Sequence, residues 1–148
     1  MKKQKSPNKE NKKSRWKEKS AFGLVMIIGL LFFLWPVPLM QGNPEQVAKA
    51  QIFNGNTGEL YEITQKEKVE ELLDYTDGVY GHFVGLKGET SGVGMVISLY
   101  DESGKKIGGA EVQGAEHFVG YGTTSPRYRT YGSVDVDYLY SLGTQVEQ

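Results

Sequence analysis

Two histidines, His82 and His117, are the residues best suited to chemistry in this sequence, and each opens the same four letters, His-Phe-Val-Gly. Imidazole ligates metals and changes charge near neutral pH. A protein metal site needs three or four ligands, and the chain has no cysteine to supply thiolates. Asp135 and Asp137 are the carboxylates that would complete a set, but an Asp-x-Asp at the start of a helical pattern is explained by the preference for acids in a first turn. The expectation is therefore that neither histidine ligates a metal. A repeat is excluded too, because the flanks "LKGETSGVG" and "YGTTSPRYR" differ and a repeat needs a sustained period. What remains is two strands of one sheet. Alternation would put Tyr80, His82, Val84 and Leu86 on one face, and Ala115, His117, Val119 and Tyr121 on one face, with each Phe opposite.

Nucleophilic catalysis finds little support. Without cysteine there is no thiol nucleophile. Ser125 precedes Pro126 and lacks a Gly-x-Ser-x-Gly elbow, while Ser91 and Ser103 read as turns. "GLKGETSGVG" (85–94) lacks the Gly-x4-Gly-Lys-Ser/Thr order of a phosphate loop. Glu89, Glu111 and Glu116 are no more paired than any of the sixteen acids beyond residue 20. No catalytic residue and no cofactor is expected.

Binding finds a better cluster. Beyond residue 20 the only arginines are Arg127 and Arg129, in "SPRYRTYG" beside Tyr128 and Tyr131. Arg and Tyr are enriched at binding hot spots: Arg pairs bidentately with carboxylates, and Tyr adds rigid area with a polar tip. Alternation would place Arg127 and Arg129 on one face and Tyr128 on the other. A plain strand whose long side chains cover a sheet fits the same residues.

The elements that must position these residues follow from local patterns. "AKAQIF" (48–53) and "ELYEI" (59–63) read as a hairpin around "NGNTG". Thr64 and Glu67 form a capping box for a helix that buries Val69, Leu72 and Leu73 and ends at Gly78. "GVGMVISLY" (92–100), "KIGGAEV" (106–112, with a glycine pair that invites a bulge), "AEHFVGYG" (115–122) and "RYRTYG" (127–132) read as strands. "SVDVDYLYSLG" (133–143) reads as a short helix capped by Ser133 or Asp135, with Val136, Leu139 and Leu142 inward. The fold class expected is α+β: an antiparallel sheet of five to seven strands with two helices packed on it.

Charge divides the chain. Residues 1–20 carry nine basic and two acidic residues, a balance of +7, and the remainder carries eight basic and sixteen acidic ones, a balance of −8. Between them, residues 21–40 hold no charge. That length suits a transmembrane helix, with the basic side cytoplasmic and the rest extracellular. The corresponding organisation is a basic disordered tail (1–20), an anchor (21–40), a linker (41–47) and an extracytoplasmic domain (48–148). Pro36 and Pro38 leave a rival reading, since Ala21–Trp35 is also signal-peptide length and Ala48-Lys49-Ala50 fits a cleavage pattern near Ala50. The basic tail beside an apolar run is explained by orientation and lipid headgroups, so the bilayer is an expected partner and nucleic acid is not.

The segments "LYEITQKEKVEELL", "GMVISLYDESGKKIGGAEV" and "SVDVDYLYSL", with Tyr100-Asp101, Gly104 and Asp135-Val136-Asp137-Tyr138-Leu139, resemble small α+β domains of anchored or lipoprotein-like extracytoplasmic proteins of Gram-positive bacteria. The resemblance spans about residues 59–142. It implies an exported fold and carries over no catalytic residue. The function expected is a membrane-tethered, non-enzymatic binding domain for an envelope or membrane protein partner. The alternatives are an exported small-molecule or ion-binding domain built on His82 and His117, or a hydrolase.

Overall fold

The computed structural model describes residues 10–87, 94–120 and 126–147. The chain divides at Trp35/Pro36 into two compact units. The first contains helix α1 (Glu10–Leu34). Its apolar side chains, Phe22 through Leu34, are exposed on every side of the helix where they are described.

No described helix is long and apolar enough to cross a membrane, which corrects the transmembrane helix expected over 21–40. Proline is the physical reason. Pro36 has no N–H to continue the helix, and it drives Trp35 out of the α region, so α1 stops at Leu34. The uncharged helical stretch is then 21–34, about 21 Å long at 1.5 Å per residue. A hydrocarbon core is about 30 Å thick. Residues 36–40 of the expected span belong to the second unit. Val37–Pro38 forms strand β1, and Leu39 and Met40 enter the core at 3% and 4% exposure. The Leu39 amide donates to the Val79 carbonyl at 2.7 Å.

The second unit, Pro36–Gln148, is built on one sheet. After β1 come β2 (Lys49–Asn54), β3 (Leu60–Ile63), helix α2 (Lys66–Gly78), β4 (Tyr80–Leu86), β5 (Met95–Tyr100), β6 (Lys106–Val112), β7 (His117–Gly120), β8 (Pro126–Thr130), helix α3 (Val136–Ser141) and β9 (Thr144–Val146). The strand order is β1-β4-β8-β7-β6-β5-β2-β3-β9, antiparallel at every pairing. Nine described strands replace the five to seven expected, and of the three described helices none is the anchor expected. The strands missed are β1 and β9, the two edges, with two and three residues. Alternation cannot register over so few positions.

One sheet face carries the core. Ala50, Ile52, Met95, Ile97, Leu99, Val112 and Phe118 are buried on it, and α2 adds Val69, Leu72 and Leu73 while α3 adds Leu139. The stretch 41–47 read as a linker lies inside this unit, where Val47 is buried and the Ala48 amide bonds the Tyr100 carbonyl at 2.9 Å. Ala50 is fully buried in β2 between Ile63 of β3 and Leu99 of β5. A cut there would remove β1, Leu39, Met40 and Val47 from the fold.

Local capping divides in two. The N-cap of α2 is Gln65, with no side-chain cap bond, so the Thr64–Glu67 capping box does not form; the helix starts one residue too late for Thr64 to reach it. In α3 the Asp135 carboxylate accepts from the Tyr138 amide at 2.9 Å. The β5–β6 register shifts at Ile107, beside the glycine pair where a bulge was expected.

Candidate functional site

Strand β8 lies between β4 and β7, antiparallel to both. The two His-Phe-Val-Gly segments therefore run parallel to each other, one on each side of β8. His82 and His117 both stand opposite Arg129, and Phe83 and Phe118 both stand opposite Tyr128. Directly opposed residues share a face. One face thus carries the row His82–Arg129–His117, and the other carries Phe83–Tyr128–Phe118. Close packing fixes this arrangement at Gly81. A Cβ there would lie 2.7 Å from the Arg129 carbonyl oxygen and 2.7 Å from the Phe118 ring.

Alternation breaks after Phe83. The β4–β8 register shifts between Phe83 and Gly85, leaving Val84 as an extra residue and placing Gly85 opposite Arg127. The expected face Tyr80–His82–Val84–Leu86 is corrected accordingly. Ala115 precedes β7 and Tyr121 lies outside the described residues.

The four candidate binding residues do not share a surface. Tyr128 belongs to the core face, with its ring stacked on Phe118 at 5.0 Å and edge-on to Phe83 at 6.2 Å. Arg127 and Arg129 share the opposite face, Arg129 exposed and Arg127 half-buried. Tyr131 follows the end of β8, 60% exposed, with its ring 5.3 Å from His82. Its amide donates to the Tyr80 carbonyl at 3.0 Å.

The arginine face is weakly neutralised. Arg129 meets Glu116 at 3.5 Å, and both side chains are more than half exposed, the geometry of a pair worth little. Arg127 has no ion pair among the described residues, and its buried Nε has no hydrogen-bond partner. The buried Nδ1 of His82 is also unpartnered. Glu111 lies on the same face, across Val119 from Arg127, but Lys87 holds it at 2.5 Å and Gln113 donates to it at 2.9 Å. Burial pushes the His117 imidazole below its ordinary value, and the Arg127 and Arg129 guanidiniums push it the same way against the opposing pull of Glu116. Lysines elsewhere are better matched, as in Lys49–Glu62 at 3.2 Å and Lys68–Glu71 at 2.7 Å.

Among the described residues no group of three His, Cys, Asp or Glu is placed to hold a metal. Asp135 is spent on the α3 cap. Ser103 donates to Asp101 at 2.6 Å within its turn. Glu89, Ser91 and Ser125 lie outside the described residues. Among the described residues, two open cavities lie away from the arginine face. One, of about 430 Å³, gathers Glu70, Asp74 and Asp77 of α2 beside Gln41 and Pro44. The other, of about 540 Å³, is lined by the 101–103 turn with Glu45, Gln46 and Ile107. Sequence reading named Glu116 only among the scattered acids, and missed its pairing with Arg129 and the alignment of both histidines on Arg129. The repeated tetrapeptide was the only signal for it.

No family model, curated protein or solved structure matches this chain.

Proposed function

We propose that residues 36–148 form a non-catalytic binding module on the extracytoplasmic side, whose contact surface is the β4–β8–β7 face bearing Arg127 and Arg129, with Tyr131 at its rim. The observation that carries this reading is the gathering on that face of the chain's two histidines and the unit's two arginines, with no ion pair to Arg127 among the described residues. Among the described residues no acid pairs with Arg127, so a ligand carboxylate at its half-buried guanidinium gains an interaction that the described fold does not supply. Acid–base catalysis is less well supported, since no carboxylate or hydroxyl bonds His82 Nδ1 to orient its ring. The extracytoplasmic setting rests on the basic run followed by the apolar stretch 21–34, a charge and length pattern that suits export.

The test is crosslinking of the full chain in its native cells, followed by recovery of its partners. The double variant Arg127→Ala/Arg129→Ala should keep the fold and lose capture by about tenfold, the scale of a hot-spot loss of about 1.4 kcal/mol. A folded double variant that recovers the same partners at wild-type yield refutes the reading. Protease added outside intact cells should degrade the module; full protection refutes the extracytoplasmic placement.

A further inference from the structure

We infer that the β4–β8–β7 face binds an extended acidic peptide segment of a partner protein, with carboxylates two residues apart pairing with Arg127 and Arg129. This deepens the binding reading above and rests on it. Arg127 and Arg129 are separated by one residue on a strand and share its face. Side chains so spaced lie about 6.5–7 Å apart. An extended peptide offers carboxylates at the same interval from residues i and i+2. The guanidinium fork matches a carboxylate bidentately, and Arg127, half-buried, has no ion pair among the described residues.

The charged and titratable groups around the site favour this ligand. On β8 they are the two arginines. On the β7 side they are His117 and Glu116, and on β4 they are His82 and Tyr80. From β6 comes Glu111, already held by Lys87. Glu116 reaches Arg129 from an exposed position at 3.5 Å, so a carboxylate fits against this guanidinium and a better placed one can displace it. A phosphate dianion would be repelled by the same Glu116 more strongly than a single carboxylate. Tyr131, beside His82, adds an exposed aromatic surface at the rim.

Because the chain has two histidines, two imidazole signals in a proton–carbon NMR spectrum report the site directly. The full chain is titrated with a peptide containing Glu-Ala-Glu, with its Gln-Ala-Gln counterpart, with inorganic phosphate and with anionic lipid vesicles. The Glu peptide should shift both signals saturably. It should also raise the His117 titration midpoint, since carboxylates neutralise the guanidiniums that disfavour its proton. Arg127→Ala/Arg129→Ala should weaken the response at least tenfold, and Arg127→Lys/Arg129→Lys should fall between, keeping charge but losing the fork. No saturable shift, an equal shift from the Gln peptide, or a stronger response to phosphate or vesicles overturns the inference. Sedimentation at matched concentration must show a monomer; association of the chain with itself through Arg127 and Arg129 overturns it as well. If partner capture falls in the arginine variant while the Glu peptide is inert, the binding reading stands and the acidic-peptide inference falls. If the peptide binds but capture is indifferent to the arginines, the binding reading itself fails.

Discussion

Leu39→Ala tests whether the residues after the first proline belong to the folded unit. The Leu39 side chain is 3% exposed, and its amide is tied to the Val79 carbonyl at 2.7 Å. Truncating a buried leucine to alanine typically costs about 2–5 kcal/mol, combining lost transfer free energy with the residual cavity. The site lies next to β1, a two-residue edge strand that can relax, so the lower end applies, about 2–3 kcal/mol. For a unit of this size each kcal/mol moves Tm by about 4 °C, so the expected drop is about 8–12 °C. The assay is thermal and urea unfolding of the full chain followed by near-ultraviolet circular dichroism. Leu30→Ala, in the exposed apolar stretch of α1, is the control and should stay within about 0.5 kcal/mol. If Leu39→Ala is as silent as Leu30→Ala while Phe118→Ala unfolds early, residues 36–40 do not build the core and the boundary at Pro36 is wrong.

Gly81→Ala should lower the urea midpoint by an overpacking penalty of about 1–3 kcal/mol, because its new Cβ meets the Arg129 carbonyl and the Phe118 ring; a wild-type midpoint would show that β4 and β8 can separate there. Asp135→Ala should cost about 1 kcal/mol through loss of the α3 cap, whereas Thr64→Ala should leave the same unfolding curve unchanged, since no side chain caps α2; equal losses would restore the capping box. His117 titrates lower in the folded chain than its ordinary 6.5, so its contribution is whole above that pH and is lost as pH falls. The urea midpoint should therefore decline between about pH 7 and pH 5, and His117→Gln should flatten that decline. Asp101, Glu62 and Glu71, all held below the ordinary carboxylate range, add their loss only at more acid pH. A slope unchanged in His117→Gln would assign the effect elsewhere.

The sequence by itself determined the elements whose signals are local. Val69, Leu72 and Leu73 recur at helical spacing and are buried on α2. The alternation of Met95, Ile97 and Leu99 marks one buried face of β5, and Asp135 sits at the start of α3 where its carboxylate meets an amide three residues on. Such signals survive because the residues that interact are neighbours in the chain. Only the tertiary structure decided the rest. An uncharged run from 21 to 40 carries no mark of where a helix ends and a core begins; Leu39 and Met40 are claimed by the sheet because β1 pairs with Tyr80 and Gly81, more than forty residues on. The edge strands β1 and β9 exist only because a longer strand lies beside each. The arginine site depends on such distant pairing most of all. His82, Arg129 and His117 meet in one row because β8 enters between β7, which precedes it in the chain, and β4, some forty residues earlier, and a strand register between distant segments is fixed by packing and by turn geometry rather than by any pattern within the segments.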